Sequence, residues 1–122
     1  MNDFITKQKQ KYKELEKVFC PYINTEVLFT SSGFKHLIWK SNQTVRTIEV
    51  IQERMEALNV VVKIISKSGT LQEYEKLDNR EFYCFISIIE GKKYKVVIAK
   101  YNTNKYKFIS VIPKWKTGKR DS

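Results

Sequence analysis

Glycine, proline, cysteine and histidine are all scarce in this chain, and each scarcity excludes something. Four glycines, scattered at positions 33, 69, 91 and 118, cannot make a Gly-rich phosphate-cradling loop. No serine sits in a G-x-S-x-G elbow, and neither an HExxH pair nor a paired-carboxylate motif occurs. One histidine and two cysteines, Cys20 and Cys84, leave a structural zinc shell short of donors, and the cysteines lack CxxC or zinc-finger spacing. Two reduced thiols are the plain expectation for them, and a Cys20–Cys84 disulfide stays open at this level. No apolar run approaches the ~18 residues of a membrane-spanning helix. The first nineteen residues, MNDFITKQKQKYKELEKVF, are charged throughout and hold no apolar core of a signal peptide. Cytoplasmic location, with no membrane partner, no metal and no cofactor, is therefore expected.

Acidic residues are also few. Against 13 Asp and Glu stand 23 Lys and Arg, a net charge of +10 on 122 residues. That balance points to a polyanionic partner, nucleic acid first. An anionic membrane surface, or charge serving only solubility, would show the same balance. With 42% hydrophobic and 13% aromatic residues, the chain can bury one modest core.

The hydrophobic period divides the chain. Residues 3–19 read as a helix, with Asp3 near its cap, Phe4, Ile5, Tyr12, Leu15, Val18 and Phe19 on one stripe, and Pro21 as its stop. TEVLFT (25–30) reads as a short strand, SSG as a turn, and FKHLIWK as a short helix or ordered loop. Residues 42–59 read as the clearest helix. Asn42 and Asn59 bound it, and Val45, Ile48, Ile51, Met55 and Leu58 form its apolar face. Strands are then expected at 60–68, 71–77, 81–89, 93–101 and 105–113, joined by short turns. The fold class is α+β: one domain over 1–122, N-terminal helices on one face of a four- to five-stranded antiparallel meander (60–113), and a frayed tail at 116–122.

Hairpin register assigns Tyr83, Phe85, Val96, Ile98, Ile109 and Val111 to the helix-covered face. The other face then carries Cys84, Ile86, Lys95, Val97, Ala99, Tyr101, Tyr106, Phe108 and Ser110, and leads to Lys114 and Trp115. Interleaved aromatic and basic groups suit stacked bases and phosphates. Aromatics and lysines are also common on any half-exposed sheet.

RNA cleavage without metal needs a base for the 2′-hydroxyl, an acid for the leaving 5′-oxygen and cations around the phosphorane-like transition state. His36 sits close in sequence to Lys35, Lys40 and Arg46. Those cations would lower its pKa and keep the imidazole neutral, as a base requires. Taken singly, each residue has a blander role: His36 a satisfied structural polar, Arg46 a solvated helix residue, Trp39 core or helix cover.

The stretch VLFTSSGFKHLIWK, an Arg/Glu helix after it and a meander ending in FISVIP together resemble the barnase/EndoU/colicin/RelE-like (BECR) nuclease superfamily, most of all its small phage- and mobile-element-associated members. The matching positions are Gly33, His36, Lys40, Arg46, Glu49, Phe108 and Ser110, spanning most of 25–113. The resemblance implies a metal-independent endoribonuclease, with a toxin or phage effector role and an immunity or antitoxin partner. On it His36, Lys40 and Ser110 would be catalytic and Arg46 would bind the substrate phosphate; the open sheet face adds Lys114 to the catalytic set, and Lys95, Tyr101, Tyr106 and Trp115 to substrate binding. The chain departs from the pattern in having no second histidine; Lys114 and Tyr101 are the substitutes. A non-catalytic RNA- or DNA-binding module and a basic interaction protein that docks through the N-terminal helix are the alternatives.

Overall fold

The computed structural model describes residues 2–41, 44–67, 73–101 and 104–113. The expected tail at 116–122, and Lys114 and Trp115, lie outside them. Within them the architecture is α+β. Four helices, α1 (Asn2–Leu15), α2 (Ser31–Ile38), α3 (Ile48–Glu56) and α4 (Leu58–Lys67), accompany six strands. The strands are β1 (Lys17–Cys20), β2 (Thr25–Leu28), β3 (Glu73–Leu77), β4 (Arg80–Ile89), β5 (Lys92–Tyr101) and β6 (Tyr106–Pro113). They form one sheet in the order β1-β2-β6-β5-β4-β3.

The expected meander is present as β3–β6, antiparallel throughout. The sheet is larger than expected because β2 adds to β6 in parallel and β1 pairs back on β2. The first helix stops earlier than position 19. Glu16 takes a left-handed φ of 49°, and its carbonyl accepts the Phe29 N–H at 2.8 Å. Residues 17–20 then form a strand, whose pairing with Thr25–Leu28 supplies the backbone bonds a further helical turn would have made. Phe19, placed on the helix stripe by its spacing, is half exposed as a result.

The helix expected over 42–59 is also redrawn. Residues 44–46 are extended, and helix α3 begins only after Thr47, whose side chain accepts the Val50 N–H at 3.3 Å. Asn59 does not end it, and Asn42 lies outside the described residues. The chain bends at Ala57 and continues as α4, so the strand expected at 60–68 is a helix up to Lys67. Leu58, Val61, Ile64 and Ile65 fall on one helical face and are buried. A short β-branched run is ambiguous between the two periods, and here contact with the sheet selects the helix.

Residue scale decides the faces of the sheet. A β-bulge in the β5–β6 pairing sets Val97 opposite Ser110 but Ile98 opposite Phe108, leaving Ile109 as the extra residue. The register reading is thereby corrected: Phe108 and Tyr106, expected on the open face, turn to the helix side, and Ile109 leaves its expected place. Phe108 is fully buried and stacks on Phe29 (5.2 Å, 18°). With Phe85, Val96, Ile98, Val111, Leu37, Ile51, Met55 and Ile65 it forms the core between sheet and helices. Helix α2 packs against β6 through Gly33, where a Cβ would stand 2.5 Å from the Phe108 carbonyl oxygen and 2.6 Å from the Tyr12 hydroxyl. Only glycine permits that approach.

Candidate functional site

Helix α2 divides its residues by period. Gly33, Phe34 and Leu37 face the core. The complementary positions 32, 35, 36 and 39 recur at three- and four-residue spacing, so they share the outer face. Ser32, Lys35, His36 and Trp39, joined by Lys40 and Ser41, line an open cleft of about 480 Å³. The stretch that holds the single histidine therefore builds the wall of a concave site.

The cleft wall is braced from behind. The Trp39 N–H donates to the Lys35 carbonyl (2.8 Å), closing the last turn of α2. Trp39 and Val45 then form an antiparallel bridge. On either side of it, Lys40 N–H donates to Thr44 C=O and Arg46 N–H to Ile38 C=O, both at 2.8 Å. The Arg46 side chain adds an Nε–H bond of 3.0 Å to the His36 carbonyl. A guanidinium on the end carbonyls of a helix is favourable electrostatically. Its charge also acts on the imidazole: partial burial first, and the Arg46 guanidinium second, hold the His36 pKa below its ordinary 6.5. Among the described residues, neither Lys35 nor Lys40 pairs with a carboxylate. The cleft thus joins a neutral imidazole, two ammonium groups, two hydroxyls and an indole.

The other expected site residues are dispersed. The Ser110 hydroxyl on β6 accepts from Arg54 Nη1 (3.3 Å), which also donates to the Val111 carbonyl (2.7 Å). Lys95 lies on the opposite, open face of the sheet, largely buried and bonded to Glu73 at 2.8 Å. There it lines a second groove of about 600 Å³ with Phe82, Cys84, Val97 and Ile112. Tyr101 shares that face, with the Lys107 ammonium 6.0 Å from its ring centroid. Tyr106 is on the helix side, edge-on to Tyr83 and under Lys100. Glu49 lies in the first turn of α3 and is exposed. The structure brings together His36, Lys40 and Arg46; it does not bring Lys95, Tyr101 or Tyr106 to them.

Sequence reasoning missed Ser32, Trp39 and Ser41 as cleft residues, and Arg54 altogether. The signal for the first two was present, because 32, 35, 36 and 39 form the polar complement of the 33, 34, 37 stripe. Both cysteines are buried, and no disulfide joins Cys20 to Cys84. Among the described residues no three His, Cys, Asp or Glu side chains are grouped to share a metal ion. Nor is any described helix long and apolar enough to cross a membrane. Comparisons with family models, with curated proteins and with solved structures return no match.

Proposed function

We propose that the α2 cleft is the active site of a metal-independent endoribonuclease. One observation carries this reading: the only histidine of the chain is held with a lowered pKa in a cleft that also presents Lys35 and Lys40. A neutral imidazole can take the proton of an RNA 2′-hydroxyl. The 2′-oxygen then attacks phosphorus, the P–O5′ bond breaks, and the products are a 2′,3′-cyclic phosphate and a 5′-hydroxyl. Lys35 and Lys40 would stabilise the charge on the phosphorane-like transition state. The leaving oxygen would take its proton from one of these ammonium groups or from water, since the described lining of the cleft holds no carboxylate and the chain has a single histidine. Arg46 is a positioning residue on this reading, because its side chain holds the His36 backbone and keeps the imidazole neutral.

The alternative of a binding module on a basic, aromatic sheet face has less geometric support. Its tyrosine ledge is divided between the two faces, and Lys95 is engaged by Glu73. A nuclease of this kind fits the resemblance to toxins and phage or mobile-element effectors, acting on cytoplasmic RNA under an immunity or antitoxin protein.

The test is a cleavage assay with chelator present, using total RNA and tRNA, for the wild type and His36→Ala. The expected result is fragments ending in 2′,3′-cyclic phosphate from the wild type, and a loss of roughly 10²–10⁴-fold in the variant. Intact RNA with both proteins, alongside salt-sensitive binding, would assign the binding module instead.

A further inference from the structure

Trp39 is the aromatic side chain of the cleft, and its setting differs from that of its neighbours. Tyr12, Phe29 and Phe34 are nearly fully buried in the core, whereas Trp39 keeps 42% of its surface exposed. Exposure by itself is ordinary, since Phe19, Tyr22 and Tyr74 are as exposed; what sets Trp39 apart is that it lines the cleft beside Lys35, His36 and Lys40. Its backbone is fixed on both sides, by the turn-closing bond to Lys35 and by the bridge to Val45. In an antiparallel bridge the paired side chains lie on the same side, so Val45, itself half exposed, sits on the indole's side of the bridge. One helical turn back along the same outer face stand Lys35 and His36, and Lys40 follows directly. An aromatic plane, cations and an imidazole on one rigid lip are the three groups that recognise a base, a phosphate and a 2′-hydroxyl.

Resting on the ribonuclease reading, we propose that Trp39 is the stacking platform for a nucleobase next to the phosphate held by Lys35 and Lys40, so that the cleft selects single-stranded RNA. The volume supports one nucleotide at a time: about 480 Å³ lies in the range of roughly 300–1,000 Å³ typical of small-ligand sites. A base in a duplex has both π-faces covered by its neighbours and reaches such a plane only if it leaves the stack. Stacking on an indole is tolerant of sequence, because every base offers a π-face. The site therefore discriminates by strandedness and not by base identity.

The experiment uses 2′-O-methyl oligonucleotides, which have no 2′-hydroxyl to attack and are bound without being cut. Trp115 is the chain's second tryptophan, so the difference between the wild-type and Trp39→Phe spectra isolates Trp39. Titration with a single strand is expected to quench its emission saturably, and the matching duplex to quench it much less. By anisotropy of a labelled single strand, Trp39→Ala is expected to bind roughly 5- to 100-fold more weakly, and Trp39→Phe to recover most of that loss. Single strand bound without quenching, duplex quenching equally well, or Trp39→Ala binding unchanged would each overturn the platform. The quenching measurement uses the conservative Trp39→Phe, so a poorly folded Trp39→Ala does not decide the question. The two readings fail separately: RNA left intact with quenching retained removes the nuclease and keeps the platform, and cleavage without quenching does the reverse.

Discussion

On the proposed nuclease reading the chemistry depends on His36, and as the chain's single histidine it is directly measurable. Desolvation and the Arg46 charge both disfavour the imidazolium, so the folded pKa lies below the ordinary 6.5. Between those two values the unfolded chain binds more protons than the folded one. Stability contributed by this group is therefore present above about 6.5 and is lost as pH falls through 6.5 toward the folded value. The single imidazole C2–H resonance should titrate below the free-histidine midpoint. In Arg46→Met the midpoint should move back up, because the second cause is gone. If the imidazole is the base, kcat/KM rises with pH along one limb with that same midpoint, and the limb moves with the NMR value in Arg46→Met. A rate limb that stays in place while the NMR midpoint moves would assign the base elsewhere.

At the scale of elements, the half-edge of β6 is the telling feature. β2 pairs with β6 only at Tyr106 and Lys107, so among the described residues no strand pairs with β6 beyond Lys107 on that side. Helix α3 closes the gap with Arg54, 6% exposed, whose guanidinium donates to the Val111 carbonyl and the Ser110 hydroxyl. Hydrogen bonds from a charged donor are worth about 1.5–3 kcal/mol each. Replacing Arg54 by Met should lower unfolding stability by about 2–4 kcal/mol, read from the urea midpoint at constant m-value. A change under about 0.5 kcal/mol would show that Arg54 is not what closes this edge. Ser110 is on this view part of the edge closure, a role its spacing after Phe108 did not suggest.

For the whole molecule, the excess of positive charge matters only where it is free to meet phosphate. Lys35 and Lys40 are exposed on the cleft, while Lys95 is bonded to Glu73 on the far face. In a His36→Ala background, which on the proposed reading binds without cutting, the slope of log K against log salt for single-stranded RNA should become shallower by about 0.7–1 for each of Lys35→Ala and Lys40→Ala. Lys95→Ala is expected to change it less. An equal change at Lys95 would move the binding surface to the open sheet face and support the module reading.

Local signals were legible wherever one segment decided its own state. The four meander strands and the buried Ile51 and Met55 of α3 follow from period alone, and the cations around His36 are neighbours in sequence. Ser31–Gly33, expected as a turn, is instead the first turn of α2, and Val45 and Ile48, expected on the apolar face, are half exposed. The tertiary structure decided what depends on a partner. Lys17–Cys20 became a strand because β2 was there to pair with it, and the run after Asn59 became a helix because the sheet offered an apolar surface to cover. One bulged residue, Ile109, turned Phe108 and Tyr106 from the open face to the core, since a shift of one residue reverses every side chain in a strand. Charge and period are properties of the chain read in order; facing, pairing and burial are properties of surfaces that meet only once it has folded.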